Sequence, residues 1–327
     1  FVPIYAEYEK ENNHFKTNEF LNSIAGTLLL CLFVFTLLVL VFAPIFIFLF
    51  APGFYFDPIK QDISVKVLRI MFPYLALISL VAFAGGIQNT HQKFSIPAFT
   101  PVVFNLSLII AAVFIAPKYE IEIFVLAWGV LLAGFVQLLI QIAPLRSINR
   151  LPVPKLNFKN EGVKKFFIVI FPAILAGGII QINLLIDTIF ASLLETGSPT
   201  WLYVSDRLVQ FPMGIFAIGI GTVLLPTLSK LDVISERKIF INTLQKGQRF
   251  VLFIGIPSLI GLMFCAEDII SAIFYRGEFT QLDVFKSSYS LIAFSFGLPF
   301  FMLMKVLTPA FFAQKNTKIP MYVAILS

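Results

Sequence analysis

The sequence predicts an all-α fold, a polytopic transmembrane helical bundle, and three observations carry that prediction. Charged residues make up only 13% of the 327-residue chain, against roughly a quarter in soluble proteins. Long charge-free runs recur along it, most of them near the roughly 20 residues needed to cross a hydrocarbon core. The basic residues of the intervening loops also divide very unequally between two alternating sets.

The charge-free runs, in chain order, are 20–56, 70–90, 94–117, 123–144, 166–186, 208–229, 250–266 and 287–304. They give eight complete spans, the shorter ones completed by flanking residues that snorkel. A ninth apolar segment begins at Ile319 and is interrupted by the end of the sequence. With no initiator Met, the expectation is a piece of a longer protein; no secretory signal peptide is visible, and a missing N-terminus would hide one. The fifth helix is expected at about 163–194 and the sixth at about 200–228, joined by the short turn 195–199. The eighth opens on Thr280 and Asp283, which have the spacing of a capping box. Lys305 lies far enough down that span to snorkel. Glu267 and Asp268 are read as interfacial residues in the outer part of the seventh span. Belt anchors are expected among Tyr119, Trp128 and Trp201. Cys31 and Cys265 lie in apolar segments and are expected to be small packing residues, not a disulfide or a metal site.

If the spans alternate, one loop set comprises 1–19, 87–96, 146–165, 229–249 and 313–318 and carries 16 Lys and Arg. The opposite set, 51–63, 117–121, 195–200 and 276–282, carries 3. The positive-inside rule makes the first set cytoplasmic, so Phe1 starts on that side. The net charge of +6 therefore reflects orientation. Nucleic acid is a poor partner, because the basic residues are dispersed over loops and not gathered on one face.

The chain also repeats itself weakly. FLFAPGFYFDP (48–58) is similar in part to IFYRGEFTQLD (273–283), with Phe50 matching Phe274 and Gly53 matching Gly277 at an offset of 224. HQKFSIP (91–97) is similar to AQKNTKIP (313–320) at an offset of 223. Such an offset spans six helices, an even number, so the halves would be parallel repeats about an axis normal to the membrane. The boundary falls in the Pro- and Lys-containing linker 146–165, dividing the chain into 1–150 and 151–327.

The most telling charges are Asp206 and Arg207, adjacent in a stretch (201–228) that is otherwise apolar apart from the phenol of Tyr203. Ionised groups at bilayer depth are costly and mark substrate or ion paths more often than not. Asp187 on the fifth helix and Arg207 on the sixth each lie roughly 10–12 Å below the outer end of their hairpin. They can share one depth, with Asn183 and Gln210 one turn further down. Arg207, with its planar fork of donors, suits a phosphate or carboxylate. Asp187, with Asn183 and Thr188 nearby, can supply oxygen ligands to a small cation. The competing reading is an inert ion pair that fixes hairpin register. Both helices are expected to be irregular, since one carries Pro172 and Gly177-Gly178 and the other Pro212, Gly214, Gly219, Gly221 and Pro226. Broken helices around a midplane site are typical of secondary transporters. No HExxH, GxxxxGK[ST], GxSxG or Cys/His metal spacing occurs, and His14 and His91 are loop residues without partners in sequence. The chain is therefore not expected to be an enzyme.

The segment INLLIDTIFASLLETGSPTWLYVSDRLVQFPMGIFAIGIGTVLLPTLSK (182–230) closely resembles the MurJ/MviN family of lipid II flippases. FVPIYAEY (1–8), GIQNTHQKFSIPAFTPVVFNLSLI (86–109) and FYRGEFTQLD (274–283) agree with it in matching order. The resemblance implies a fourteen-helix protein, two six-helix lobes and an extra pair around a central cavity, of which this chain holds the end of the second helix to the start of the eleventh. It implies a bacterial inner-membrane transporter that moves lipid II, an undecaprenyl-pyrophosphate-linked precursor, to the periplasmic leaflet by alternating access. Membrane lipids and cell-wall synthesis proteins are the partners it implies. No cofactor is expected beyond a coupling cation, Na+ or H+. By motif, the family's cavity-facing Arg falls on Arg207, the Asp before it on Asp206, and an acidic residue implicated in cation binding on Asp187. A carboxylate often found three residues after that Arg is here Gln210. The alternatives are a drug/cation antiporter or polysaccharide-unit exporter of the same superfamily, or a polytopic enzyme acting on polyprenyl phosphates.

Overall fold

The computed structural model describes residues 1–11, 13–229, 231, 236–314 and 323, and among these it contains helices and no strands. In order the helices are α1 (Val2–Lys10), α2 (His14–Val41), α3 (Ala43–Phe50), α4 (Pro52–Tyr55), α5 (Pro58–Met71), α6 (Pro73–Thr90), α7 (Ser95–Ile110) and α8 (Glu122–Ser147). They continue with α9 (Glu161–Leu193), α10 (Ser198–Pro212), α11 (Gly219–Ser229), α12 (Arg237–Phe264), α13 (Ala266–Phe274) and α14 (Gln281–Ala313). A π-helical turn (Ala111–Ile115) and a 3-10 turn (Ala116–Lys118) extend α7, and a second π-helical turn (Met213–Ile218) joins α10 to α11. Six described helical segments are long and apolar enough to cross a membrane: His14–Val41, Pro58–Thr90, Ser95–Lys118, Glu122–Ser147, Arg237–Phe264 and Gln281–Phe311. α9 and the continuous helix α10–α11 occupy the places expected for the fifth and sixth spans. The ninth segment, and one partner of the second repeat match, lie outside the described residues.

Local chemistry sets several boundaries. Pro44, Pro52, Pro58, Pro73 and Pro199 all stand in the first turn of a helix, where a missing N–H costs nothing. Asn13 caps α2 by accepting from Lys16 N at 3.1 Å. Asp57 caps α5, accepting from Ile59 N at 3.0 Å and Lys60 N at 3.2 Å. The long run 20–56 is consequently not one helix: α2 stops at Val41, and α3 and α4 follow. The second span begins at Pro58 rather than near residue 70, because a polar helical segment, α5, leads into it. The seventh span ends at Phe264, so Glu267 and Asp268 stand in the first turn of a separate helix, α13, where carboxylates complement the helix dipole.

The chain divides into two compact units, Phe1–Ile189 and Phe190–Ser327. In the first, α8 packs against α5, α6 and α7. Buried glutamines cross-link the helices: Gln137 Nε2 donates to the Thr100 carbonyl at 2.9 Å, and Gln88 donates to Gln141. A core of Tyr5, Phe20, Ile24, Ile87, Leu145 and Val163 closes the end where α1, α2, α6, α8 and α9 meet. A buried polar cluster sits beside it. Arg150, 4% exposed, grips Glu9 with two bonds of 2.7 and 3.1 Å and donates to Asn18 Oδ1 at 3.0 Å. It also meets His14 Nδ1 at 2.9 Å. Tyr5 donates to Glu9 Oε1 at 2.7 Å and meets His91 Nε2 at 2.8 Å. Because the Tyr5 proton is committed to Glu9, His91 is the donor in that contact. His14 and His91 are thus partnered through tertiary contacts, which sequence spacing did not reveal.

The linker after Arg150 is clasped to α2. Val153 N donates to Asn22 Oδ1 at 2.7 Å and Lys155 N to the Asn22 carbonyl at 2.9 Å. Gly26 makes the approach feasible, since a Cβ there would overlap the Lys155 carbonyl.

In the second unit α14 is the central element, packed against α10, α11, α12 and α13. Leu224, Leu228, Val251, Ile270, Leu298 and Met302 are among the side chains buried around it. The capping box is present as read, with Thr280 N donating to Asp283 Oδ2 at 2.7 Å and Asp283 N to Thr280 Oγ1 at 3.4 Å. Asp283 has a second role that the sequence did not show: it accepts from Trp201 Nε1 at 2.7 Å. Trp201 is therefore buried, 6% exposed, and is not a belt anchor. Tyr119 and Trp128 are exposed. Cys31 and Cys265 are also exposed, which corrects their reading as packing residues.

Candidate functional site

Asp206, Arg207 and Gln210 lie on α10, which enters its π-helical turn directly after Pro212. The expected irregularity of this helix is therefore real and begins at Met213, six residues beyond Arg207. α9, in contrast, is helical throughout Glu161–Leu193, so Pro172 and Gly177-Gly178 do not interrupt it.

Arg207 is exposed on the helix, with Tyr203 one turn before it and Gln210 one turn after it on the same face. Its guanidinium carbon lies 4.7 Å from the centre of the Tyr203 ring, close enough for a cation–π attraction. Its NH1 donates to Gln210 Oε1 at 3.3 Å, and Gln210 Nε2 donates to Asp206 Oδ2 at 2.5 Å. Gln210 is thus a neutral bridge that orients the guanidinium through a dipole. A carboxylate at that position would pair with Arg207 and consume its charge.

Arg207 also lines a cleft of about 750 Å³ inside the second unit. Phe211 and Phe216 form one wall, Ser258 and Leu262 of α12 another, and Ile269 of α13 closes a third side. The lining is apolar apart from Arg207, Ser258 and Cys265. A planar cation in the lining of an otherwise apolar cleft suits a ligand that joins an anionic group to a hydrocarbon.

The cation-ligand candidates belong to α9. Asp187 and Thr188 are exposed. Thr188 Oγ1 donates to the Leu184 carbonyl at 2.8 Å, which leaves its lone pairs free to accept or ligate. It lines a groove of about 370 Å³ with Phe50, Gln181 and Leu185. The Asn183 side chain lies outside the described residues. Asp187 belongs to the first compact unit and Arg207 to the second, and each is placed within its own unit. Among the described residues no group of three or more His, Cys, Asp or Glu is arranged to hold a metal ion.

Comparison with known proteins gives a consistent result. The family model described as "Lipid II flippase MurJ" matches residues 1–327. A probable lipid II flippase MurJ of Haemophilus influenzae (strain ATCC 51907 / DSM 11121 / KW20 / Rd) is 38% identical over 340 residues, covering 100% of this chain and 67% of the relative. The corresponding Vibrio cholerae serotype O1 protein is 40% identical over 334 residues, covering 100% and 64%. Among solved structures, "Lipid II flippase MurJ, inward closed conformation" superposes with a TM-score of 0.84 at 28% identity, covering 99% of this chain and 67% of that one. The chain thus spans about two thirds of the length of the proteins it matches.

Proposed function

The chain belongs to the lipid II flippase MurJ family, and on that premise we propose that the protein of which it forms the central part moves lipid II from the cytoplasmic to the periplasmic leaflet by alternating access. Membership and the six membrane-length helices support a multi-pass protein of the bacterial inner membrane, with a transport role and not an enzymatic one. Its lobes would divide at the basic linker, into 1–150 and 151–327, and flank the central cavity.

One observation carries the site assignment: the Arg207 guanidinium, bridged by a neutral Gln210 and set over Tyr203, opens on the apolar cleft. Arg207 would hold the pyrophosphate through bidentate, charge-assisted bonds. Gln210 and Asp206 would fix its orientation. Asp187, with Asn183 and Thr188, would take the coupling cation, Na+ or H+, at a comparable depth on the neighbouring helix. Membrane lipids and cell-wall synthesis proteins would be its further partners.

The test is transport by the full-length protein. Arg207→Gln should abolish flipping while membrane abundance stays largely intact, and Arg207→Lys, which keeps charge but loses the fork, should retain part of it. If Arg207 were only half of an inert ion pair, Arg207→Gln would lower abundance, and neutralising Asp206 or Asp187 as well would restore both abundance and transport. Full transport in either double variant would overturn the assignment.

A further inference from the structure

A cleft of about 900 Å³ in the first unit has no part in the site above. It runs between α7 with its π-helical turn and the first half of α8. The helices approach closely at Gly129 and Ala111 in its lining, where a Cβ on Gly129 would lie 2.9 Å from the Ala111 Cβ. From there the walls part, with Ile110 and Ile115 on one side and Trp128 and Leu132 on the other. The volume falls within the range of about 300–1,000 Å³ typical of sites that bury most of a small ligand.

The mouth of the cleft is chemically distinct from its walls. The 116–121 connection places Lys118 and Glu120 there, one positive and one negative group two residues apart. Neither is in an ion pair among the described residues. Tyr119 and Trp128, 60% and 53% exposed, flank them, and aromatic rings of this kind settle at the headgroup level of a bilayer. By the loop charge asymmetry this is the periplasmic end of the spans. An apolar slot below, a cation and an anion at the rim and aromatic rings between them form the complement of a single amphiphile with a phosphate, an ammonium and a hydrocarbon chain.

We propose that the α7–α8 cleft binds one zwitterionic glycerophospholipid of the phosphatidylethanolamine type from the outer leaflet. The acyl chain lies along Ile110, Ile115 and Leu132, the phosphate meets Lys118 and the ammonium meets Glu120. A purely anionic lipid would gain the Lys118 contact but face the Glu120 carboxylate.

The full-length protein in nanodiscs would be exposed to photoactivatable phosphatidylethanolamine or phosphatidylglycerol with matched acyl chains, and adducts mapped by mass spectrometry. Residues 107–132 should be labelled roughly fivefold more by the ethanolamine lipid, the ratio expected for one interfacial charge contact. Unlabelled phosphatidylethanolamine should compete, and unlabelled phosphatidylglycerol should not. Lys118→Glu, on an exposed turn, should remove most of the labelling, and Leu132→Trp, which fills the slot, should block it while melting temperature and elution volume stay unchanged. Equal labelling by both lipids in the wild-type protein would mean annular contact only and overturn the proposal. Preference for phosphatidylglycerol, or absence of labelling because another part of the full chain covers the cleft, would overturn it equally. The wild-type competition decides the matter even if a variant fails to fold.

Discussion

At the scale of single residues, the Arg150 cluster shows how a polar side chain is kept inside. Burial alone would push the Glu9 carboxyl up, but the bonds from Arg150 and Tyr5 outweigh it and hold the group below its ordinary value of 4.5. A carboxyl with a depressed folded-state pKa stabilises the fold above its unfolded-state pKa, and that contribution is lost as pH falls through the folded value. The first unit should therefore lose stability below about pH 4.5, and Glu9→Gln should flatten that acid limb of the melting temperature. At neutral pH the same variant leaves the buried guanidinium with neutral acceptors in place of its carboxylate and should cost about 1–3 kcal/mol, read as earlier unfolding in denaturant. A steeper acid limb in Glu9→Gln would contradict this. None of it was legible beforehand, because Arg150 stands in a Pro- and Lys-rich linker and its partner Glu9 is 141 residues away. The Arg207 neighbourhood was legible, since Tyr203, Arg207 and Gln210 are related by helical spacing alone.

At the scale of elements, what the sequence revealed was local. The Thr280–Asp283 box, the capping asparagine and aspartate, and the spans themselves follow from rules that act within one or two turns. Trp201 shows the limit of such reading, because an aromatic residue near a span end suits a belt until a partner from another helix claims its N–H. That bond fastens the start of α10 to the start of α14, beside the Lys286–Glu195 ion pair of 2.8 Å. Trp201→Phe removes the donor to an ionised acceptor together with the five-membered half of a buried indole, so it should cost at least about 1.5–3 kcal/mol. Asp283→Asn, which retains the acceptor oxygen, should cost less. Equal melting temperatures for Trp201→Phe and wild-type protein would show that the bond contributes nothing. The π-helical turn after Pro212 was legible as irregularity from proline and glycine density, whereas the same cue on α9 leaves its helical span unbroken. A proline frees a carbonyl, and neighbouring packing decides whether the backbone widens or simply continues.

At the scale of the whole molecule, orientation rests on the 16-to-3 distribution of basic residues over the loops. In a background of Cys31→Ser and Cys265→Ser, Tyr119→Cys should react with an impermeant thiol reagent added to intact cells, and Asn157→Cys should not. The reverse pattern would invert the topology. The linker that carries six of those basic residues has a second consequence, which concerns proteases. Trypsin needs several residues of extended, unpaired backbone around the bond it cuts, and a Lys-rich connection between helices would ordinarily offer it. Here the Lys155 N–H is committed to Asn22 and its carbonyl lies against Gly26, while Lys159 stands in an exposed turn. Limited digestion of inverted vesicles should accordingly cleave after Lys159 well before Lys155, and Gly26→Ala, by lifting the strap from α2, should make the two bonds fall together.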